Sequence, residues 1–430
     1  MKRAVSRWEI VGLALNDVIG SGVYLLPATA AAILGPASVW AVLAAGFCVL
    51  LIVLCFAEAA SHFDGPGSAY LYTRHAFGDF VGFEVGWMTW LARVASLASL
   101  SAGFAQALGY LWPGAGGGWG RVATITVPVV VLAAINVAGV KSGTRTAVVL
   151  AVCKILPLVC LILAGLIAWA MPQSLLAPIR GADRLGEAAM LLLFAYAGFE
   201  NTAAPAGEFK NPRRDVPFAL IAEIAIVTVL YSSVQFVALG ALPNLAGSQT
   251  PLADAGRVLM GPVGGWLLTI GAAISILGTN SNTVLAAPRY LFALARDGFG
   301  PRILASIHPS TRTPAVAVVT HACVALPLAL SGSFVGLAAL SVVVRLVTYI
   351  GTAAAVPVLR RKFAARPSGV RLPGGAAIPV LAILVCVGLA ASTTTRNLVA
   401  AAAAIAIGAV IYSFRRQGYG EVPATEDSVD

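Results

Sequence analysis

A lysine in the middle of a long apolar stretch is the first residue of this chain that could do chemistry. Lys154 lies in "AVCKILPLV", and a cation at the centre of such a stretch costs about 2.5–3.5 kcal/mol on a membrane-insertion scale unless polar groups surround it. Burial also favours the neutral amine, so one interpretation is a residue that releases a proton. The other is a fixed cation that holds neighbouring helices together without titrating.

A second candidate site lies in the first apolar stretch, which contains "NDVIGSGVYLLP" at residues 16–27. Its glycines can break a helix and leave backbone amides and carbonyls without internal partners, which is tolerated at membrane depth only beside protein or a watery cavity. A half-helix that begins near Ser21 would present free N–H groups to an anion, and carbonyls near Val18 and Ile19 would receive a cation. An α-amino acid carries both charges at that spacing.

The sixth apolar stretch has the same kind of interruption. In "LLLFAYAGFENTAAPAGEFKNPRRDVPFAL", residues 191–220, glycines, a proline and Glu200 fall inside or at the end of the stretch. Broken helices at matching places in two halves are typical of transporters built from inverted repeats. Helices one and six would be equivalent if helices 1–5 and 6–10 formed inverted halves, and the spacing fits that arrangement, although the two halves share no visible sequence identity.

These sites must be held by membrane helices. Hydrophobic residues make up 59% of the chain, charged residues 11%, and the mean hydropathy is +0.88, which is typical of an integral membrane protein. About twelve apolar runs are long enough to span a bilayer. They lie near 9–33, 37–60, 79–111, 122–140, 147–171, 186–207, 216–242, 261–295, 314–331, 334–359, 375–391 and 397–413.

The distribution of basic residues predicts the orientation. With the amino terminus in the cytoplasm, most Lys and Arg residues fall on the inner side, and residues 414–430 form a short cytoplasmic tail. The polar interruptions of the first stretch also argue against a cleaved signal peptide. Because the basic residues are scattered over the inner loops, the net charge of +10 does not indicate nucleic-acid binding. Five basic residues fall on the opposite side: Arg121, Arg180, Arg184, Arg257 and Arg396.

Other function classes lack their signatures. The six cysteines lie inside apolar runs, so neither a disulfide framework nor a metal site is expected. No cluster of His, Asp or Glu has catalytic spacing, and no filter-like repeat suggests a channel. We therefore expect a transporter, not an enzyme, without a cofactor.

Four motifs carry a family resemblance. "IGSGVYLLP" resembles the first helix of the amino acid–polyamine–organocation superfamily, and the 191–220 segment is similar to its sixth helix and following loop. "AEAASHFDGPGSAYLYTRHAFG" (57–78) resembles the segment after helix two, and "APRYLFALARDGFGP" (287–301) the loop after helix eight. The resemblance implies an all-α integral membrane protein with the leucine-transporter fold, working by alternating access. Its inverted repeats would span about 9–171 and 186–359, with extra helices at about 375–413, in one transmembrane domain over 1–430.

The resemblance also implies a substrate site made of main-chain groups. The substrate carboxylate would bind the amides of Ser21 and Gly22. The substrate amine would meet the carbonyls of Val18, Ile19, Phe194, Ala195 and Ala197. Phe194 resembles the aromatic gate of the family, although a core aromatic is the alternative, and Ala197 would border the side-chain pocket.

Three further residues are assigned to coupling or gating. Lys154 matches a lysine of sodium-independent superfamily members, whose ammonium resembles a replacement for a sodium ion between helices one and eight. Glu200 has either a pH-sensing or gating role or a simple capping role. Ser281 in helix eight is the predicted neighbour of Lys154, although polar residues at such positions more commonly join helices.

Four intramembrane charges remain without an assigned role. Asp17 is expected to cap or pair near the broken helix. Arg93, Glu223 and Arg345 lie outside the motifs, and we leave Arg345 out of the site because pairing or snorkelling explains it more simply than recognition of an acidic substrate.

The sequence thus predicts a sodium-independent secondary transporter of amino acids in the cytoplasmic membrane, both termini cytoplasmic, coupled to protons and favouring neutral substrates. The alternatives are an amino acid exchanger and a carrier of amines, polyamines or cationic amino acids. The expected partners are the amino acid, protons and membrane lipid. The sequence gives no oligomeric state.

Overall fold

The protein is all-helical throughout the described residues. The computed structural model describes residues 5–63, 68–139, 144–172, 184–203, 206, 209–364 and 370–414, with side chains from 148 onward in the third range. These ranges contain no β-strand, only an isolated parallel bridge between Val5 and Phe209. The predicted tail at 414–430 lies almost wholly outside them.

Fourteen α-helices form in these ranges, and α10 carries a sharp kink at Gly261, where φ is 70°. The helices are α1 (Arg7–Val18), α2 (Ser21–Leu34), α3 (Ser38–Ser61), α4 (Ala69–Phe77), α5 (Asp79–Leu108), α6 (Gly118–Ala138), α7 (Thr144–Ile167), α8 (Leu185–Tyr196), α9 (Pro212–Ala241), α10 (Pro251–Arg296), α11 (Ala315–Ser331), α12 (Phe334–Lys362), α13 (Ala377–Ala391) and α14 (Thr395–Ser413).

The helices are those of a multi-pass membrane protein. In the described part of the chain, eight helical stretches are long and apolar enough to cross a bilayer, and α8, α11 and α13 are shorter apolar helices. Large apolar side chains such as Val130, Leu163, Leu384 and Val399 are exposed on the outer helices, as suits a surface in contact with hydrocarbon and not with water. The count of twelve spans and the inverted-repeat topology stay predictions.

The first apolar stretch is broken where the sequence predicted. α1 ends at Val18 and α2 begins at Ser21, and the two residues between them leave helical geometry. Ile19 is extended, with φ −75° and ψ 99°, and Gly20 has φ −127° and ψ −142°. Because the first N–H groups of α2 have no carbonyl one turn earlier in the same helix, they are free to bind another acceptor.

The sixth stretch is broken as well. α8 ends at Tyr196, Ala197 is extended, and Gly198 has φ 139°, a conformation that side chains with a Cβ rarely adopt. A Cβ on Gly198 would also lie 2.9 Å from the carbonyl oxygen of Asp17. The two breaks therefore lie directly against each other, which only a glycine permits.

Candidate functional site

A small cavity lies between the two breaks, bordered by α5, α10 and α12. Its free volume is about 20 Å³, enough for one or two water molecules. An amino acid is larger, so its entry requires the cavity walls to move apart. The lining residues are Asp17, Val18, Gly20, Ser21, Gly22, Arg93, Ser96, Leu100, Phe194, Ala197, Thr279, Thr283 and Arg345.

Lys154 of α7 reaches the carbonyl end of α1. Its Nζ is 2.6 Å from the carbonyl oxygen of Asn16, 3.1 Å from that of Ile19 and 3.0 Å from Oγ1 of Thr279 on α10. The side chain is fully buried. The ammonium thus lies between α1 and α10, next to the negative end of the α1 dipole, which favours a cation.

Lys154 has its full complement of hydrogen bonds as an ammonium. Both carbonyls can only accept, so they take two N–H protons. The Thr279 hydroxyl has carbonyl acceptors of its own, on Ile19 and Ser275, each at 3.1 Å, which leaves its oxygen free to accept the third proton. This arrangement fits the charged form of Lys154.

Ser281 is not the hydroxyl that accepts from Lys154, so that prediction was wrong. The acceptor is Thr279, two residues earlier on α10. Two residues correspond to about 200° of rotation around a helix, which places Ser281 on a different side of α10. Any coupling role of Ser281 stays a prediction.

The carbonyl of Ile19 is already engaged and does not border the cavity. It accepts from Lys154, from Oγ of Ser275 at 2.9 Å and from Thr279. Its predicted contact with a substrate amine stays a prediction, and in this conformation the extended backbone at Ile19 directs the carbonyl to α7 and α10. Val18, one residue earlier, does line the cavity.

The predicted carboxylate-binding residues lie at the expected place. Ser21 and Gly22 form the first turn of α2 and both border the cavity. Ser21 Oγ is buried and has no partner among the described residues. This helix terminus therefore offers backbone amides and one hydroxyl to an anion in the cavity.

The predicted residues of α8 divide into two groups. Phe194 and Ala197 border the cavity, and Phe194 packs edge-on against Phe334 with ring centroids 5.9 Å apart. Ala195 does not border it, and its carbonyl accepts from the hydroxyl of Tyr231 at 3.1 Å. Its predicted contact with a substrate amine stays a prediction, and in this conformation the carbonyl already accepts from Tyr231.

Four buried charged side chains form a cluster beside the cavity: Asp17, Arg93, Glu200 and Arg345. Arg93 Nη2 is 3.3 Å from Glu200 Oε1 and 3.6 Å from Asp17 Oδ2, and Arg345 pairs with Glu200. Two positive and two negative charges balance, as a buried cluster requires. Asp17 and Arg345 were each expected to pair, and both do: Asp17 with Arg93, and Arg345 with Glu200.

Glu200 also caps the second break, because its Oε2 accepts from the backbone N–H of Gly198 at 3.0 Å. The capping interpretation of this residue is therefore confirmed, and a pH-sensing or gating role stays a prediction.

Arg345 was not predicted to belong to the site, yet it lines the cavity. The sequence did hold a sign of this cluster, because the apolar stretches α5 and α12 each contain an arginine. Charges inside membrane spans mark functional regions.

Comparison with known proteins identifies the family. Residues 5–410 match the family described as amino acid permease. The chain belongs to the amino acid permease family. This membership confirms the predicted relationship to the amino acid–polyamine–organocation superfamily, whose members are transporters and not enzymes.

Relatives of this permease cover most of its length. It is 29% identical to the branched-chain amino acid permease BcaP of Bacillus subtilis over 96% of this chain and 92% of that protein. It is 28% identical to the serine/threonine exchanger SteT of the same organism over 95% of each. The cationic amino acid transporter 3, mitochondrial, of Arabidopsis thaliana is 26% identical over 87% of this chain and 64% of that protein.

Proposed function

We propose that this permease is a secondary active transporter of neutral amino acids in the cytoplasmic membrane, with both termini in the cytoplasm. It works by alternating access, needs no sodium and is driven by protons. One observation carries the proposal: the free N terminus of α2 faces a cavity, while Lys154 neutralises the carbonyl end of α1 on the other side of the same break.

The substrate headgroup would be recognised by main chain. The amides of Ser21 and Gly22 bind the carboxylate, aided by the α2 dipole. The ammonium binds carbonyls at the cavity edge, on Val18 and Ala197. Both residues border the cavity. These main-chain groups would contact the carboxylate and ammonium that all α-amino acids share. The substrate side chain would contact the walls of the cavity.

The charge balance of the walls supports neutral substrates. Asp17 is the carboxylate that borders the cavity, and it already pairs with Arg93 and accepts from Asn201 Nδ2 at 2.5 Å. A cationic side chain would therefore meet a carboxylate whose charge Arg93 already balances, although some relatives are named cationic amino acid transporters. Arg345 is likewise paired, with Glu200, so an acidic side chain would have to displace an existing ion pair.

Sodium independence follows from Lys154. Its ammonium already binds the oxygens of Asn16, Ile19 and Thr279. These hard oxygen atoms are the type that a sodium ion would need. A fixed cation leaves no charge deficit for sodium to fill.

A second candidate function is amino acid exchange. One relative that matches 95% of this chain is named a serine/threonine exchanger. The headgroup site would be identical in an exchanger. The difference would lie only in whether the empty transporter can reorient.

The test is uptake of a panel of labelled amino acids by the purified protein in liposomes, under separate inward proton and sodium gradients. We compare the wild type with Lys154→Ala and with Lys362→Ala, a control lysine on the inner surface whose Nζ donates to the carbonyl of His75 at 2.9 Å. We expect proton-driven, sodium-independent uptake of neutral amino acids, lost in Lys154→Ala and kept in Lys362→Ala. A requirement for sodium would refute the proposal, and uptake only into preloaded liposomes would favour the exchanger.

A further inference from the structure

A carboxyl group lies fully buried on α9 without a cation. Glu223 has no solvent exposure. Its Oε2 accepts from the hydroxyl of Thr202 at 3.3 Å, and its Oε1 has no hydrogen-bond partner among the described residues. The described residues also give it no ion pair. Neither the site above nor the sequence motifs assign it a role.

The nearby cations are committed elsewhere. Asp17 on α1 is itself a carboxylate, paired with Arg93, so it offers Glu223 no positive charge. Lys154 on α7 donates its hydrogen bonds to Asn16, Ile19 and Thr279. Arg93 on α5 pairs with Asp17 and Glu200. The first-turn charges of α9, at 213–215, lie at least eight residues away, which is about 12 Å along the helix.

Other charged side chains on the helices packed against α9 are at the helix ends or already paired. These are Arg7, which pairs with Asp215, Glu9, which bonds to Ser6, Glu58, which pairs with Arg360, and Asp254, Arg257, Arg289 and Arg296 on α10.

An ionised carboxylate cannot persist in such a place. Burying a lone charge is far costlier than adding a proton to it, so the group becomes neutral instead. In the closed conformation described here, Glu223 therefore holds a proton. The cluster of Asp17, Arg93, Glu200 and Arg345 is already neutral without Glu223, because it holds two positive and two negative charges.

Glu223 also lies beside the part of the chain that must move. Thr202, its hydrogen-bond donor, follows the short 3₁₀ helix Phe199–Asn201 after the second break. The neighbouring Asn201 donates to Asp17 at the end of α1. When the two breaks separate, Glu223 loses this cover, and water reaches its carboxyl.

We propose that Glu223 is the proton-binding carboxyl group of the transport cycle. It takes a proton from one side, carries it through the closed conformation and releases it when the segment at Asn201–Thr202 moves and water can accept it. Lys154 stays charged throughout. The inference rests on the proton coupling proposed above and names the group that performs it.

The test compares Glu223→Gln with Glu84→Gln in proteoliposomes. Glutamine keeps the shape and an acceptor for Thr202 but cannot bind and release a proton. Glu84 is a matched control because its carboxyl is also buried without a described partner, but it lies on α5 against Gly408 of α14, away from the breaks. An inward gradient of one pH unit supports about tenfold accumulation at one proton per substrate.

We expect the wild type and Glu84→Gln to accumulate substrate against its gradient, and Glu223→Gln only to equilibrate it. Exchange of labelled substrate across Glu223→Gln liposomes, above that of empty liposomes, shows that the variant is folded. Accumulation by Glu223→Gln as high as that of the wild type would overturn the inference. No proton-driven accumulation by the wild type would instead refute the proposed proton coupling.

A second measurement does not depend on transport. Infrared spectroscopy of the purified protein detects the carbonyl stretch of a buried, protonated carboxylic acid. We expect a band of this kind that is present in the wild type and Glu84→Gln and reduced in Glu223→Gln. If the two single variants lose the same bands, or if Glu223→Gln loses none, Glu223 is not the group that holds the proton.

Discussion

A single added methyl group at Gly22 tests the close contact between the two broken helices. A Cβ at this position would lie 2.6 Å from Cα and 2.7 Å from Cβ of Ala195 on α8. Ordinary contact begins at 3.4 Å, so α2 and α8 must separate by about 0.8 Å to admit Gly22→Ala. The atoms in the way are backbone and a Cβ, which cannot rotate aside. Overpacking of this kind costs about 1–3 kcal/mol.

The same displacement moves the amide that is proposed to bind the substrate carboxylate. Because Gly22 supplies one of the two amides, we expect Gly22→Ala to lower the initial rate of uptake about tenfold or more, since a misplacement of about 1 Å is enough to disturb a positioned site. Uptake into liposomes and the thermal unfolding midpoint in detergent measure the two effects separately.

Gly388→Ala on α13 is the matched control. A Cβ there meets nothing within 4 Å, so the change adds only helix propensity, worth about 0.5–1 kcal/mol in favour of the helix. We expect it to be as active as the wild type and at least as stable. If Gly22→Ala equals Gly388→Ala in both assays, the two breaks do not pack as described.

Three further substitutions probe the buried ion pairs and the histidine at the end of α3. Glu200→Gln removes the shared carboxylate of Arg93 and Arg345 and should destabilise the protein by about 3–5 kcal/mol. Adding Arg345→Met to Glu200→Gln should recover part of the lost free energy of unfolding. If the losses of the two single variants simply add in the double variant, the pairing is contradicted. Burial lowers the pKa of His62 below its ordinary value of 6.5, and Arg360 lowers it further, against the opposing effect of Glu58. As the pH falls, His62 therefore binds a proton in the unfolded state at a higher pH than in the folded state. The free energy of unfolding then falls as the pH drops below about 6.5. His62→Phe should reduce that loss in unfolding midpoints measured from pH 7.5 to 5.5, and an unchanged pH profile would contradict it.

The helix breaks could be predicted from the sequence because their causes are local. Gly20 and Gly198 are residues whose freedom from a Cβ permits non-helical backbone, and each interrupts an otherwise apolar run. The need of Lys154 for polar partners could also be predicted, since it is a single charge in a membrane span, and the family resemblance implied its place between helices one and eight.

The directions of individual groups could not be predicted. The Ile19 carbonyl points to Lys154 because of the backbone torsions at the break, which residue types do not specify. Thr279 and Ser281 lie in a run of five polar residues, 279–283, so periodicity could not show which one faces α7. Arg93 and Glu200 are 107 residues apart in sequence, and only the packed fold brings them together.

The proposed opening of the cavity depends on how the amino-terminal end of α1 is held. A backbone bond from Lys210 to Val5 at 3.2 Å holds this end to the segment before α9, and the Arg7–Asp215 pair at 3.8 Å holds it to the first turn of α9. Arg7 is largely exposed, and exposed pairs contribute about 0–1 kcal/mol. Breaking this ion pair is therefore inexpensive compared with disrupting the Lys154 bonds. Motion should hinge at Gly20, with Lys154 as the fixed point, and it should uncover Thr202 and Glu223 before it disturbs the headgroup site at Ser21.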